Sequence, residues 1–138
     1  MIDFVIVGTA KSGTTSIFYQ IKNRYLVPLK ETFFWVQDVL KFDEHPYPYQ
    51  RSLDGLPSSE QDYNALYKNS SFDICGEIST CYLYYHSTVI PKLLNRFGPD
   101  LKIVICLRNP VHRLLSNYRH FTRESFEQLE ITSAIQAT

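Results

Sequence analysis

A nearly continuous apolar run, Phe4-Val5-Ile6-Val7, stops at Gly8 and opens into Thr9-Ala10-Lys11-Ser12-Gly13-Thr14-Thr15-Ser16, a loop of small and polar residues. Apolar, partly β-branched residues without polar alternation suit a strand covered on both faces of a parallel sheet. Beyond the loop Ile17, Phe18, Ile21 and Tyr25 recur at helical spacing, which predicts a helix of about three turns. Strand, glycine-bearing loop and helix form the opening of a βαβ unit, so the chain is committed to an α/β architecture from its first residues.

The glycine spacing from Gly8 to Gly13 is that of a Walker A loop, but Thr14 stands at the lysine position and the loop's lysine is Lys11. Small residues let successive backbone N–H groups turn inward, and the following helix aims its positive end at the same place. Ser12, Thr14, Thr15 and Ser16 add hydroxyl donors and Lys11 a cation, so the loop reads as an anion cradle. The plainer alternative is a strand-to-helix turn that uses Gly for its backbone and Ser/Thr for capping.

The rest of the chain continues the alternation. Tyr25 to Leu29 reads as a short second strand that delivers Lys30 and Glu31 at its carboxyl end. His45 to Ser59, with three prolines and Gly55, reads as an irregular excursion, and Ser58 with Gln61 as a capping box for a helix to about Lys68. Ile74 to Ile78 is a third candidate strand. Ser87 is expected to cap a helix that holds Pro91 near its first turn and stops at Gly98. Leu101 to Leu107 then reads as a buried strand, and Pro110 opens a helix with Val111, Leu114, Leu115, Tyr118 and Thr122 as its core stripe. The expected fold is a three-layer, P-loop-NTPase-like domain with a mostly parallel sheet. Residues 1–138 form one nucleotide-binding domain, and Thr132 to Thr138 look like a helix cut short, so the domain is expected to be incomplete at its C-terminus.

Hydrophobic residues are 44% and charged residues 20%, which excludes a disordered chain. The formal net charge is zero, so no global field draws the protein to nucleic acid or an acidic membrane, and any anion site must be a local cluster. No apolar stretch approaches a membrane span, and no signal-peptide pattern follows Met1, so the expected location is cytoplasmic. Cys75, Cys81 and Cys106 lack metal-ligand spacing and read as free thiols in a reducing compartment.

A second anchor for negative charge lies far along the chain. In Leu101-Lys-Ile-Val-Ile-Cys-Leu107-Arg108-Asn109-Pro110 the strand ends in a guanidinium, where a magnesium-dependent NTPase would often present an Asp. At helical spacing His112, Ser116, Arg119 and Arg123 share one band of the next helix, so Arg108 and Ser116 could grip one phosphate from two sides. A solvated basic helix face is the competing reading for His112, Arg119 and Arg123. Arg108 differs, because open α/β sheets place ligands at the carboxyl ends of their strands.

Taken together, the two segments and their order resemble the phosphoadenosine-phosphosulfate-dependent sulfotransferases. The family's 5′-phosphosulfate loop is similar to Thr9–Ser16, and its 3′-phosphate segment to Ile103-Val-Ile-Cys-Leu-Arg-Asn-Pro-Val-His-Arg113 followed by Ser116. The resemblance implies that Lys11, Ser12, Gly13, Thr14, Thr15 and Ser16 hold the 5′ end of the donor and that Arg108 and Ser116 hold its 3′-phosphate. Pro28-Leu29-Lys30-Glu31-Thr32-Phe33-Phe34-Trp35 is similar to the Lys-Glu-x-His-Phe-Phe segment of carbohydrate sulfotransferases, whose Glu acts as base, with Phe33 standing in for His. Gly76-Glu77-Ile78-Ser79-Thr80-Cys81-Tyr82 is similar to a third family segment, usually Gly-Glu-x-Ser-Pro-x-Tyr, with Thr80 replacing the proline. The implied activity is metal-free, in-line transfer of a sulfuryl group from 3′-phosphoadenosine-5′-phosphosulfate to a hydroxyl or amine acceptor, carbohydrates among the candidates. Glu31 would serve as base, with Lys11 stabilising the leaving phosphate. His86, His112 and His120 are rival bases by chemistry but lack the strand-end position. Two other readings stand beside this one: a P-loop kinase or NTPase, and a non-catalytic nucleotide-binding module.

Overall fold

The computed structural model describes residues 2–40, 55–68 and 71–136. Its elements are β1 (Phe4–Gly8), α1 (Thr14–Ile21), α2 (Glu60–Ala65), β2 (Gly76–Ile78), α3 (His86–Phe97), β3 (Lys102–Ile105), α4 (Pro110–Arg123) and α5 (Ile131–Gln136), with a 3-10 turn at Phe34–Val36. The three strands are parallel and ordered β2-β1-β3, with Val5 opposite both Glu77 and Ile103.

Strand β1 is central, and its alternation divides the core into two faces. Val5 and Val7 pack with Val89 and Leu93 of α3, while Ile6 packs with Ile17, Phe18 and Ile21 of α1. Helix, sheet and helix therefore make three layers, and the uninterrupted apolar sequence of β1 is what such a sandwich requires. The larger cluster is rich in rings: Trp35 meets Tyr63 edge-on at 5.2 Å, and Phe34 stacks on Tyr63 at 4.4 Å.

Several elements differ from their sequence expectations, each for a local reason. Helix α1 ends at Ile21, short of three turns, yet Tyr25 still joins the Ile6 cluster by setting its ring edge-on to Phe4 at 5.9 Å. Tyr25 to Leu29 forms no strand: Leu26 makes an isolated bridge to Cys75, and Lys30, one residue beyond, an isolated bridge to Ile78 of β2. Pro28, which lacks an N–H, interrupts the ladder between them. The capping box falls one residue later than expected: Ser59 Oγ accepts the Asp62 N–H and the Asp62 carboxylate accepts the Ser59 N–H, each at 3.1 Å. Ser87 is no cap, because α3 starts at His86, and Pro91 lies in the second turn rather than the first. Gly98 ends α3 as expected, with φ 84° and its N–H on the Leu94 carbonyl at 2.8 Å. The excursion expected from His45 lies outside the described residues up to position 54.

The main correction concerns β3 and α4. Every residue of β3 is exposed, and α4 buries none of its expected stripe, with Leu107 at 77% and Val111 at 63% exposure. β3 is also an edge strand, hydrogen-bonded to β1 on one side and to no described strand on the other, and none of the described elements buries its side chains or the apolar stripe of α4.

Candidate functional site

The sheet's carboxyl edge is where the chain gathers its charge. After β1, the Thr9 N–H donates to the Cys106 carbonyl at 2.9 Å and the Cys106 N–H to the Gly8 carbonyl at 2.7 Å, which ties the loop to the end of β3. The Thr9 and Ser12 hydroxyls bond at 2.6 Å, while Lys11 and Gly13 take left-handed backbones, φ 64° and 91°. Gly13 is the N-cap of α1, with no side-chain cap and no acidic residue in the first turn. Its first-turn N–H groups thus meet no anion supplied by the chain's own first turn, the situation in which a helix start attracts one.

Arg108 leaves the end of β3 and donates to the Lys11 carbonyl at 3.0 Å, so the second anchor is turned onto the first. Asn109 Oδ1 accepts the Val111 and His112 N–H groups at 3.1 and 3.3 Å and starts α4 at Pro110. This directs the His112, Ser116, Arg119 and Arg123 band toward the loop. Between them lies a cavity of about 280 Å³ lined by Lys11, Arg108, Ser116, Arg119, His120 and Arg123, among others, with no carboxylate among its described lining residues. Burial, then Arg123, Lys30 and Arg108, hold the Lys11 ammonium below its ordinary range. Burial, then Lys11 and Arg123, likewise lower His120. Glu124, which pairs with Arg123 at 3.1 Å, offsets this only in part, so the space between the cations suits an anion.

That cavity adjoins a larger cleft of about 860 Å³, which brings Lys11, Gly13, Thr14, Thr15, Arg108 and Ser116 together with Glu31. Its size is that of a small-molecule site. Ser12 and Ser16 are not on its wall: Ser12 spends its hydroxyl on Thr9, and Ser16 is exposed on α1. Among the rival histidines His120 lines both spaces, His112 only the smaller, and His86 neither.

Glu31 follows the Lys30 bridge at the end of β2, its own N–H donating to the Ile78 carbonyl at 2.7 Å and its backbone left-handed at φ 62°. Its carboxylate pairs with Lys30 and accepts the Thr80 N–H at 2.8 Å and the Thr80 hydroxyl at 3.0 Å. Thr80, Lys30 and Phe33 also line the cleft. Thr80 was visible in the sequence only as a departure from proline, and the reason it counts is a fold contact between residues far apart in the chain.

Behind this wall Glu77 of β2 is fully buried and accepts from the Thr32 and Tyr63 hydroxyls, from Tyr82 at 2.5 Å and from Trp35 Nε1 at 3.2 Å. Burial raises its carboxyl above the ordinary range, against the pull of those four donors. Glu77→Ala should therefore cost about 3 kcal/mol of stability by orphaning buried donors, read by chemical denaturation. A raised folded pKa means the proton is bound more tightly in the native state. The Glu77 contribution is thus whole below about pH 4, the unfolded carboxyl value, and is lost as pH rises through the folded one. Glu77→Gln should remove that loss, so the stability of the wild type relative to this variant should fall with rising pH.

Comparison with known proteins places these features in context. The sulfotransferase domain family profile matches residues 1–135. The chain is 31% identical over 121 residues to bifunctional heparan sulfate N-deacetylase/N-sulfotransferase 2 of Homo sapiens, and equally to that of Bos taurus; each match covers 85% of this chain and 12% of the relative. Among solved structures, a sulfotransferase from Alicyclobacillus acidocaldarius superposes with a TM-score of 0.77 at 30% identity, over 96% of this chain and 55% of that one. The chain therefore spans about an eighth of the curated relatives and about half of the solved one.

Proposed function

We propose that this chain, which belongs to the sulfotransferase family, transfers a sulfuryl group from 3′-phosphoadenosine-5′-phosphosulfate to a hydroxyl or amine of a carbohydrate acceptor. The observation that carries the reading is the cation-lined cavity, with no carboxylate among its described lining residues, that runs from the Lys11 loop to Arg108 and Ser116. It fits a ligand that carries several negative charges, with Arg108 set directly against the Lys11 loop. In this reading Lys11 and the N–H groups of Gly13, Thr14 and Thr15 hold the 5′ end, and Arg108 and Ser116 hold the 3′-phosphate. When bound, the donor supplies the sulfuryl group and a phosphate leaving group. Glu31 takes the proton from the acceptor oxygen or nitrogen as that atom bonds to sulfur, and Lys11 compensates the charge that grows on the departing phosphate oxygen. The carbohydrate acceptor draws support from the named heparan sulfate relatives. A reducing, cytoplasmic setting belongs to the same reading, supported by the free thiols of Cys75, Cys81 and Cys106.

Calorimetric titration separates this reading from a phosphoryl-transfer one. Adenosine 3′,5′-bisphosphate should bind more tightly than ATP and without magnesium, and Arg108→Ala should weaken it by about 10- to 100-fold, the worth of charge-assisted bonds to one phosphate. Tighter, magnesium-dependent ATP binding would overturn the proposal in favour of a kinase-like enzyme. Tight bisphosphate binding with no transfer to any acceptor would favour a binding module.

A further inference from the structure

The Glu31 side chain is held by three donors, the Thr80 N–H and hydroxyl and the Lys30 ammonium. Its Oε2 accepts the Thr80 N–H at 2.8 Å, and the Thr80 hydroxyl lies 3.0 Å from Oε1 and 3.2 Å from Oε2. Lys30 approaches Oε1 from the other side. The backbone beneath is fixed from the same segment: the Glu31 N–H donates to the Ile78 carbonyl at 2.7 Å, and the neighbouring Thr32 hydroxyl bonds to buried Glu77. Both Thr80 bonds need a residue that has an N–H and a hydroxyl. Proline, which the similar family segment usually carries there, has neither.

An ionised carboxylate offers about four lone-pair sites, and these three donors occupy three of them. One remains for an acceptor, and Glu31 and Thr80 both line the cleft. We propose that Thr80 is a positioning residue for the Glu31 base in this chain: its two donors fix the carboxylate rotamer so that the unoccupied lone pair points into the cleft. The inference rests on the sulfotransferase reading and deepens it. In this role Thr80 acts through Glu31 and takes no proton itself. Its effect is geometric, removing the rotamer search that an exposed Glu would otherwise make before each proton transfer.

The test uses the full chain with radiolabelled donor and N-deacetylated heparan sulfate, alongside a panel of simple sugar and amine acceptors. Thr80→Val, which keeps shape and N–H but loses the hydroxyl, should lower kcat by about tenfold, with the affinity for adenosine 3′,5′-bisphosphate unchanged. Thr80→Ser should restore kcat, and Thr80→Pro, lacking both donors, should fall below Thr80→Val. A readout independent of turnover is the Thr80 amide: its hydrogen exchange should be slow in the wild type and faster in Glu31→Ala. Equal kcat for wild type and Thr80→Val, or an amide indifferent to Glu31, overturns the inference and leaves the sulfotransferase reading standing. Full turnover in Glu31→Gln removes the base that Thr80 would position and overturns the inference as well, whereas no transfer from the wild type to any acceptor overturns the sulfotransferase reading itself.

Discussion

Glu31→Gln should reduce sulfuryl transfer by about 10²- to 10⁴-fold, the range that a positioned general base contributes, while adenosine 3′,5′-bisphosphate binds as tightly as to the wild type. The two halves of this expectation come from different walls of the cleft. Glu31 stands at the end of β2 with its carboxylate on Thr80 and Lys30, whereas the cation-lined cavity is built from the loop after β1 and from α4. Gln keeps the length of the side chain and can still accept the Thr80 N–H through its amide oxygen, so the wall should not collapse. What it lacks is a basic lone pair for the acceptor's proton. A single-turnover assay with saturating donor isolates the chemical step. If Glu31→Gln transfers at the wild-type rate, the base lies elsewhere. His120 is then the first alternative, since it lines both the cavity and the cleft.

How much of this was legible in the residues follows from what each signal reports. The β1 strand and its loop were plain, because a continuous apolar run and a Gly/Ser/Thr loop carry local information that the fold leaves unchanged. The Asn109-Pro110 start of α4 was equally local. The Tyr25 to Leu29 strand failed because Pro28 removes a ladder donor, leaving isolated bridges on either side. Expectation and structure parted most over β3, where Ile103, Val104 and Ile105 have the composition of a buried strand yet lie exposed at the sheet edge. Apolarity states that a residue would gain from cover, and says nothing of whether another element provides it. In the candidate site Lys11, Glu31, Arg108 and Ser116 were each readable as chemistry. That they share one cleft required the fold, as did the Thr80 clamp and the Glu77 hub, whose partners lie 42 or more residues away in all but two cases, Tyr63 and Tyr82.

Lys11→Ala should lower the transfer rate by about 10²- to 10³-fold, comparable to removing one preorganised donor from a site of developing charge, and should weaken bisphosphate binding as well. The case rests on the electrostatics of the free protein. Burial and the neighbouring Arg123, Lys30 and Arg108 hold the Lys11 ammonium below its ordinary pKa, so this cluster of cations resists the very charge that an anionic ligand would welcome. A bound phosphate reverses that balance and raises the Lys11 pKa again, which requires proton uptake on binding wherever the free lysine is partly deprotonated. Titrations in alkaline buffers of different ionisation enthalpy should therefore show uptake for the wild type and none for Lys11→Ala. Working at alkaline pH also keeps the lowered His120 out of the count. Lys11 has a left-handed backbone, φ 64°, which Ala tolerates no better, so strain alone should not separate the two proteins. Lys11→Arg provides the control: it keeps the charge on a longer stem, and should recover binding more fully than rate, because the leaving oxygen needs its cation at one distance while a ground-state phosphate accepts several. Equal rates in wild type and Lys11→Ala would shift the stabilising role to the N–H groups that start α1 and remove Lys11 from the chemistry.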